Sequence, residues 1–257
     1  MSSLAALLLA AGEGTRLRPL TSLRPKPLCP VGNVPLLDLA LARVATVLPV
    51  TPSVVAVNAH HLGEQVVAWA GSRMHVSVEQ PKALGTAGAV AALSPWLDGR
   101  DVLVANGDAF FHGALDLRTF VDEWDRERPR LVVVRTSGPE DFPGGFRFAG
   151  ISLLPARFVP ALSPAPSGLY EEVWSHTDVD LVPVSATHVD CGTPRDYLRA
   201  NLLASGGESV VDPTADVRGT LTRCVVWPGA VVHGGEALVD TIRARGADGA
   251  DVTVRAG

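Results

Sequence analysis

The sequence predicts an α/β fold in which a mostly parallel sheet carries helices on both faces and a short β-helical tail follows. Apolar runs of strand length alternate with runs of helical periodicity through the first half of the 257-residue chain, which is the pattern of a parallel sheet covered on both sides. The chain is 47% apolar and 19% charged, so it can bury a sizeable core. After residue 205 valines recur at roughly six-residue spacing, which indicates short β-helical coils.

The first 205 residues contain the elements of a Rossmann-like domain. The predicted strands are 4–10, 53–57, 75–79, 101–105 and 131–135. The predicted helices are 36–48, 62–70, 85–93 and 117–128. A Pro- and Gly-rich segment, 137–167, contains one more strand at 146–154, and we expect this segment to be an insertion that covers the mouth of the sheet. Pro194 is well placed to start a last helix that continues to residue 204.

The tail begins after Gly206 and Gly207, so the predicted domains are 1–205 and 206–257. Its hexapeptide-like valine repeats are typical of a left-handed β-helix, although an irregular tail is the alternative. Because the tail has room for only about one or two coils, it cannot cover its own apolar face. We therefore expect the chain to form a homo-oligomer through residues after Ser209.

A glycine-rich turn follows the first strand and contains the clearest chemical signal. Gly12 and Gly14 allow the backbone to approach a ligand, and successive N–H groups in such a turn bind anions. Arg16 and Lys26 add two positive charges. A Walker loop would need a lysine directly after the glycines, and a dinucleotide fingerprint would need a third glycine where Leu17 stands. The pattern indicates a polyphosphate site, with a tight turn that carries surface cations as the alternative.

Three carboxylates follow predicted strands and are expected at the same edge of the sheet. Glu79 ends one predicted strand, Asp108 follows another after Asn-Gly, and Asp190 precedes the last helix. Ligands of parallel α/β sheets bind beyond the carboxyl ends of the strands. Mg²⁺ is held in proteins by one or two carboxylates while phosphate oxygens fill other positions. Asp108 and Asp190 are the candidate ligands, although an Asp after Asn-Gly is often only a turn former.

Three motifs resemble those of the sugar-nucleotide pyrophosphorylases, which join a sugar 1-phosphate to a nucleoside triphosphate. The first is LAAGEGTRLRPLT at residues 9–21 with PKPL at 25–28, the second is NGD at 106–108, and the third is DCGTPRDYLRAN at 190–201. The resemblance spans about residues 4–204, and the LGTAG and DCGTPRDYL forms are most similar to mannose-1-phosphate guanylyltransferases. Uridylyl- and thymidylyltransferases, and a non-catalytic homologue that binds a sugar nucleotide, are the alternatives.

The resemblance implies an enzyme that forms an NDP-sugar and pyrophosphate with Mg²⁺ as cofactor. Its implied catalytic residues are Lys26 and Arg16, and its implied metal ligands are Asp108 and Asp190. The expected nucleotide-binding residues are Ala10, Ala11, Gly12, Gly14, Thr15, Glu79, Gly85, Thr86 and Asn106. The expected sugar-phosphate-binding residues are Lys26, Gly150 and Glu171. No general base is needed, because the attacking phosphate oxygen is already an anion.

Recognition of the base is predicted at Glu79 or its neighbour Gln80. An ionised carboxylate only accepts hydrogen bonds, and guanine presents two adjacent donors. An amide donates and accepts, which suits a pyrimidine. Neighbours on a strand point to opposite faces, so only one of the two should face the base. We predict Glu79, and therefore GTP; the alternative is that the backbone around Gly85 reads the base.

One departure from the family pattern concerns the sugar phosphate. Many members carry a lysine before the Ala-Gly strand, and this chain has no lysine after Lys82. Arg147 or Arg157 is expected to replace it; the alternative is a site that recognises its sugar phosphate differently. His60 and His61 stand next to each other without a metal-binding frame, so we interpret them as ordinary loop residues.

Composition excludes several other classes of partner. The net charge of −5 gives no basic surface for nucleic acid. The apolar run near the N-terminus is too short to span a membrane and lacks a preceding basic region. Three widely spaced cysteines fit neither a disulfide framework nor a zinc site and favour a reducing compartment. We therefore expect a cytoplasmic protein.

Overall fold

The computed structural model describes residues 4–257, so the first three residues of the predicted 1–205 domain lie outside the described residues. The strands are β1 (Leu4–Leu9), β2 (Pro30–Val31), β3 (Val34–Pro35), β4 (Val55–Ala59), β5 (His75–Val78), β6 (Asp101–Asn106), β7 (Ala109–His112), β8 (Arg130–Arg135), β9 (Phe146–Leu154), β10 (Asp180–Pro183), β11 (Thr187–Asp190), β12 (Val210–Val211), β13 (Asp216–Val217), β14 (Thr220–Thr222), β15 (Val225–Val226), β16 (Val231–Val232), β17 (Ala237–Val239), β18 (Thr241–Arg245) and β19 (Asp251–Arg255).

The α-helices are α1 (Leu20–Leu23), α2 (Leu36–Val44), α3 (Gly63–Ala70), α4 (Gly85–Ala92), α5 (Ser94–Leu97), α6 (Leu117–Asp122) and α7 (Pro194–Ser205). Three 3₁₀ segments cover Thr15–Leu17, Lys26–Leu28 and Ala156–Ala161, and a π-helical turn covers Tyr170–Trp174. In the described residues, no helix is long and apolar enough to cross a membrane.

The central sheet has seven strands in the order β10-β8-β9-β6-β1-β4-β5. β1 pairs parallel with β4 and β6, and the pairs β4–β5 and β8–β10 are also parallel. Only β9 runs antiparallel to its neighbours β6 and β8. The predicted α/β fold with a mostly parallel sheet is therefore confirmed. The expectation that 137–167 is wholly an insertion was wrong, because β9 lies inside the sheet.

Both faces of the sheet are buried, as the continuous apolar sequence of β1 predicts. Leu4, Ala6 and Leu8 belong to a core that includes residues of α2, α3 and α6. Ala5 and Leu7 belong to a second core that includes residues of α4 and α5. Alternate residues of one strand thus contact opposite helical layers, which follows from the two-residue period of a strand.

Most predicted elements agree with the structure, and the differences have local causes. The helix predicted at 117–128 ends at Asp122, because the chain turns there and Trp124 is buried with its indole N–H donating to the Arg128 carbonyl oxygen at 2.7 Å. Strands β2, β3, β7, β10 and β11 were not predicted. Each is two to four residues long, which leaves little room for a periodic pattern.

Most strands of the tail are short and pair in parallel on three sides, while β18 and β19 pair antiparallel. β12 pairs with β15 and β15 with β18, β13 pairs with β16, and β14 pairs with β17. The side formed by β15 and β18 packs Val225, Trp227 and Ile242 against the same core that contains Tyr197 and Leu198 of α7. The first domain therefore covers this apolar face, and the physical reason for expecting self-association through the tail is lost.

Candidate active site

Part of the predicted site, including Asn106 and Asp108, lies where β1 and β6 end side by side. Leu9 and Asn106 are register partners, and the Gly107 N–H donates to the Leu9 carbonyl oxygen at 2.9 Å. A Cβ atom at Gly107 would lie 2.6 Å from Leu37 and 2.8 Å from that oxygen, so only glycine fits between the two strand ends. Asp108 follows directly and is thereby fixed beside the glycine-rich turn.

Asp190 reaches the same place through a separate two-stranded ribbon. β11 pairs antiparallel with β7, and Asp190 is the register partner of Ala109. Because Ala109 follows Asp108, the ribbon brings together two carboxylates that are far apart in the sequence. The structure thus brings together the two side chains that the sequence predicts as metal ligands.

Two cavities open at this edge of the sheet and share part of their walls. The glycine-loop cavity, of about 270 Å³, is lined by Leu9, Gly12, Gly14, Thr15, Arg16, Lys26, Pro27, Asp108 and Gly192. The Arg147 cavity, of about 300 Å³, is lined by Arg16, Lys26, Asn106, Asp108, Ala109, Asp141, Arg147, Phe148, Gly150, His188 and Asp190. Arg16, Lys26 and Asp108 line both cavities, so these residues form the junction between them.

Lys26 occupies the centre of the junction. Its ammonium nitrogen lies 2.9 Å from an Asp108 oxygen and 2.8 Å from an Asp190 oxygen, and its side chain is only 7% exposed. The side chains of Asp108 and Asp190 are 34% and 44% exposed, so both carboxylates also face the cavities. One buried cation thus holds two half-exposed anions in place.

The charges of this cluster stabilise one another. Burial alone would lower the pKa of Lys26, but the Asp108 and Asp190 carboxylates outweigh it, so the pKa is raised above the ordinary value of 10.5. Burial alone would raise the pKa of Asp190, but Lys26 and Arg16 outweigh it, so the pKa of Asp190 is lowered. The lysine is therefore a permanent cation and Asp190 a permanent anion near neutral pH.

The chain holds Lys26 by local rigidity. Pro25 and Pro27 flank it, and the 3₁₀ turn is closed by hydrogen bonds from the Leu28 N–H to the Pro25 carbonyl at 2.8 Å and from the Cys29 N–H to the Lys26 carbonyl at 3.0 Å. Proline fixes one backbone angle on either side of the lysine. The Pro-Lys-Pro sequence therefore limits the directions in which the ammonium group can point.

The glycine-rich turn is shaped by a left-handed residue and by a hydroxyl group. Gly14 has φ of +60°, which a residue with a side chain rarely adopts, and its carbonyl accepts a hydrogen bond from the Thr21 hydroxyl at 2.9 Å. Arg16 follows on the wall of both cavities. Its side chain is 68% exposed, and its one ion pair with residues 4–257 is a contact of 3.5 Å to Asp190, so its guanidinium is available to an anion.

The outer wall of the Arg147 cavity contains Arg147, His188 and Gly150. Burial lowers the pKa of His188 to about 4, with the Asp190 carboxylate opposing this shift, so the imidazole is neutral near pH 7. Arg147 has no ion-pair partner within 4.0 Å in residues 4–257. Arg157, by contrast, contacts Glu127 and the Arg126 carbonyl and lines neither cavity.

The structure corrects the role predicted for Glu79. Its side chain is buried, and the residue is only 2% exposed. One carboxylate oxygen accepts a hydrogen bond from the Asn58 amide at 2.8 Å, and the other accepts one from the Leu84 N–H at 2.7 Å. Both oxygens are therefore engaged inside the protein, which argues against direct recognition of guanine. The neighbouring Gln80 is exposed, and both residues lie just after β5, which ends at Val78.

Several other predicted residues lie outside the two cavities. Ala10 and Ala11 are buried, and the Ala10 N–H donates to Asn58 at 2.6 Å, so that group is not free for a nucleotide. Gly85 begins α4, and the hydroxyl of Thr86 accepts a hydrogen bond from the Leu169 N–H at 2.8 Å. Glu171 lies exposed in the π-helical turn that follows Leu169.

Three polar residues near the site were missed in the sequence. The Asn58 side chain forms hydrogen bonds with Ala10 and Glu79. His188 lines the Arg147 cavity. Arg43 of α2 donates to the Ala109 carbonyl at 3.1 Å. Burial lowers the pKa of Arg43 to about 10. Asn58 is a polar residue near the end of an otherwise apolar strand, and this position is the one feature of the sequence that could have indicated a role near the site. Nothing in the sequence distinguishes Arg43 from a surface arginine of an amphipathic helix.

Comparison with known proteins agrees with this geometry. The sequence model of the nucleotidyl transferase family matches residues 5–142, more than half of the chain. The chain belongs to the nucleotidyl transferase family. This confirms the predicted resemblance to sugar-1-phosphate nucleotidyltransferases and the prediction that the chain is an enzyme. The part that matches contains the glycine-rich turn, Lys26 and Asp108, which are the elements that form the junction.

Individual relatives of this nucleotidyl transferase differ in base and sugar. A mannose-1-phosphate guanylyltransferase of Mycobacterium tuberculosis is 27% identical over 95% of this chain and 76% of its own length. An N-acetylmuramate alpha-1-phosphate uridylyltransferase of Caulobacter vibrioides is 33% identical over 63% of this chain and 70% of its own length.

Among solved structures, one from Thermus thermophilus, described as a mannose-1-phosphate geranyltransferase, has a similar fold. Its TM-score is 0.73 at 20% identity, over 99% of this chain and 96% of that one. At this identity the likeness concerns the fold alone.

Proposed function

We propose that this nucleotidyl transferase condenses a nucleoside triphosphate with a sugar 1-phosphate and releases pyrophosphate. The observation that supports this most strongly is the position of Lys26 at the junction of two cavities. A glycine-rich turn with Arg16 forms one cavity, and a wall that contains Arg147 and Gly150 forms the other. Two anionic substrates that enter from opposite sides would meet at the ammonium group.

The reaction needs little covalent chemistry from the protein. An oxygen of the sugar 1-phosphate forms a bond to the α-phosphorus of the triphosphate, and the bond from that phosphorus to the bridging oxygen of pyrophosphate breaks. The electron pair leaves with pyrophosphate. Lys26 stabilises negative charge where the two phosphates meet, and Arg16 with the Gly12–Thr15 backbone holds the leaving pyrophosphate. Rate acceleration then comes from positioning and electrostatic stabilisation.

Asp108 and Asp190 are the residues that would hold Mg²⁺. Their carboxylates converge within reach of one ammonium group and are partly exposed to the cavities, which fits a hard cation that prefers oxygen ligands. In the described residues no group of three or more His, Cys, Asp or Glu side chains could hold a metal alone. Phosphate oxygens would complete the coordination, and the cation would neutralise phosphate charge when bound.

Arg147 is our candidate for the cation that replaces the missing family lysine. It lines the cavity next to Gly150, whereas Arg157 is engaged elsewhere. A guanidinium can bind a phosphate through two parallel hydrogen bonds. We propose that Arg147 binds the phosphate of the sugar while Gly150 lets the sugar ring approach the backbone. Glu171 is not among the residues that line this cavity.

For the base and sugar we propose GTP with mannose 1-phosphate or a similar sugar. The support is that mannose-1-phosphate guanylyltransferases, such as those of Mycobacterium tuberculosis and Debaryomyces hansenii, align with 95% and 91% of the chain and thus with its tail as well. The argument from Glu79 no longer contributes, because that carboxylate is engaged inside the protein.

A uridylyltransferase is the second candidate, and two observations favour it. The uridylyltransferase relative from Caulobacter vibrioides has the higher identity, 33%, over the part of the chain that it matches. In addition, Gln80 rather than Glu79 is exposed next to the loop before α4. An amide can donate to a carbonyl and accept from the N–H of a uracil.

A screen for released pyrophosphate would test both candidates. GTP, UTP, dTTP, CTP and ATP would each be combined with mannose, glucose, N-acetylglucosamine and N-acetylmuramate 1-phosphates in the presence of Mg²⁺. We expect turnover with one nucleotide well above the others, with GTP and mannose 1-phosphate first. The absence of turnover in every combination would support a non-catalytic homologue and contradict the proposal.

The remaining proposals concern the tail and the cell. We propose that residues 206–257 form a separate unit, a short β-helix of left-handed type, supported by the parallel pairing of its strands on three sides. Self-association through this unit stays a prediction without a structural argument. A cytoplasmic location is supported by three free and buried cysteines, which suit a reducing compartment.

A further inference from the structure

Three hydrogen bonds connect the two loops of the proposed nucleotide site through two buried side chains, and a fourth ties the Glu79 backbone to His60. Asn58 accepts from the Ala10 N–H at 2.6 Å and donates to Glu79 at 2.8 Å. Glu79 accepts a second bond from the Leu84 N–H at 2.7 Å, while its own carbonyl oxygen lies 2.9 Å from Nδ1 of His60. Asn58 and Glu79 are both only 2% exposed.

The two ends of this connection are functionally different. Ala10 stands two residues before Gly12 of the glycine-rich turn, whereas Leu84 is the N-cap of α4 and directly precedes Gly85. His61 adds a second tie to the glycine-rich turn. Its Nε2 atom lies 2.8 Å from the Thr21 carbonyl oxygen, and the Thr21 hydroxyl in turn donates to Gly14. A carbonyl oxygen only accepts, so each histidine donates to its partner.

We propose that the Asn58–Glu79 pair is a positioning device. It fixes the glycine-rich turn, which would bind the phosphates, and the loop before α4, which would lie next to the base, at the distance that one nucleotide spans. Asn58, near the end of β4, then sets the spacing between the two loops, which neither loop can do alone. The inference rests on the proposed nucleotide site and deepens it. The hydrogen bonds of the pair lead to Ala10 and Leu84, and neither side chain lines the Arg147 cavity. The pair should therefore affect nucleotide binding and leave binding of the sugar phosphate unchanged.

The directions of the hydrogen bonds make the pair testable. Ala10 and Leu84 each present a donor, so the two side chains between them must supply three acceptor positions and one donor group. A carboxylate next to an amide meets this requirement. Glu79→Gln offers one acceptor fewer, so two N–H donors must face each other at one of the three contacts. Rotation of either amide by 180° only moves this donor–donor contact to another of the three. One buried N–H is then left without an acceptor.

Exchange of the two functional groups restores the pattern. In the double variant Asn58→Asp with Glu79→Gln, Asp accepts from Ala10 and from the new amide, and the amide oxygen accepts from Leu84. All three hydrogen bonds between Ala10, residue 58, residue 79 and Leu84 are then formed again. Asn58→Asp alone instead places two carboxylates against each other, which makes it the most damaging of the three variants.

The test measures KM for the better of GTP and UTP, KM for the sugar 1-phosphate, kcat and the melting temperature. Each single variant should raise the nucleotide KM by about tenfold or more, the ratio that corresponds to about 1.4 kcal/mol, with the sugar-phosphate KM unchanged. The double variant should return to within about threefold of the wild-type KM. Asn201→Asp is the matched control, because Asn201 is equally buried and also bridges two backbone groups, Gly32 and Tyr197, away from the nucleotide loops.

Two results would overturn the inference while leaving the proposed function intact. One is that the single variants lower the melting temperature as Asn201→Asp does, without a change in nucleotide KM. The other is that the double variant shows the sum of the single effects. If calorimetry shows that the wild type binds none of the five nucleoside triphosphates, the proposed function fails and the inference fails with it. Selective loss of nucleotide affinity with recovery in the double variant supports it.

Discussion

Lys26→Met removes the ammonium group at the junction of the two cavities and retains most of the side-chain volume. In the wild type that group lies within 2.9 Å of Asp108 and 2.8 Å of Asp190 and is almost fully shielded from water. A preorganised cation in such a place stabilises charge as it develops on the transferred phosphate. Removing one such group from an active site typically lowers kcat by about 10²–10³-fold, or about 2.7–4 kcal/mol.

The same substitution also affects stability, and the structure limits the size of that effect. Breaking a fully buried ion pair costs about 3–5 kcal/mol. The two carboxylates are 34% and 44% exposed, so water screens them once the lysine is gone. We therefore expect a loss of only about 1–2 kcal/mol in the free energy of unfolding, a value between the exposed and the buried limits. The loss of activity should exceed the loss of stability.

Initial rates of pyrophosphate release at saturating substrates, combined with urea unfolding, separate the two effects. Arg243→Met is the matched control. Arg243 is 5% exposed and also lies between two carboxylates, those of Glu236 and Asp251, but it belongs to the tail. This control should lose stability and retain kcat. A Lys26→Met enzyme with nearly wild-type kcat would refute the role assigned to Lys26.

Three further predictions concern the metal ligands, the buried histidine and the tail. Asp190→Asn should abolish Mg²⁺-dependent turnover, because an amide is a neutral and poorer ligand for a hard cation; normal metal dependence would exclude Asp190 as a ligand. Stability should fall as the pH drops from about 6.5 toward about 4, since the unfolded chain protonates His188 first; His188→Asn should flatten this slope and the exposed control His176→Asn should not. Trp227→Ala should lower the free energy of unfolding by about 3–5 kcal/mol, because the indole is 4% exposed and donates to Tyr197 at 2.9 Å; a loss below about 1 kcal/mol would mean that the tail does not brace the first domain.

The sequence predicted those parts of the fold and site that local pattern determines. The continuous apolar run of β1 and the helical periodicity of α2 indicated buried elements correctly, and Pro194 indicated the start of α7. Lys26, Asp108 and Asp190 follow from motifs with fixed spacing, and the structure brings all three together. Their roles in catalysis and metal binding stay predictions that the experiments above test.

What could not be predicted depends on contacts between distant segments. The position of β9 inside the sheet depends on pairing with β6 and β8, which no local pattern encodes. Glu79 was assigned to the base because strand alternation leaves open which face is buried. Only the contact with Asn58, twenty-one residues away, shows that the carboxylate points inward. Likewise, the tail was expected to need a second copy because its packing on α7 is not visible in its repeats.

The most direct test of the central claim follows the phosphorus that is attacked. The enzyme would be incubated with sugar 1-phosphate, Mg²⁺ and the preferred nucleoside triphosphate, labelled on the α-phosphorus in one sample and on the γ-phosphorus in another. Two cavities that meet at Lys26 predict that the α-label enters the NDP-sugar and that the γ-label is released in pyrophosphate. Transfer of the γ-label to the sugar phosphate, or release of both labels together without a sugar product, would contradict the account.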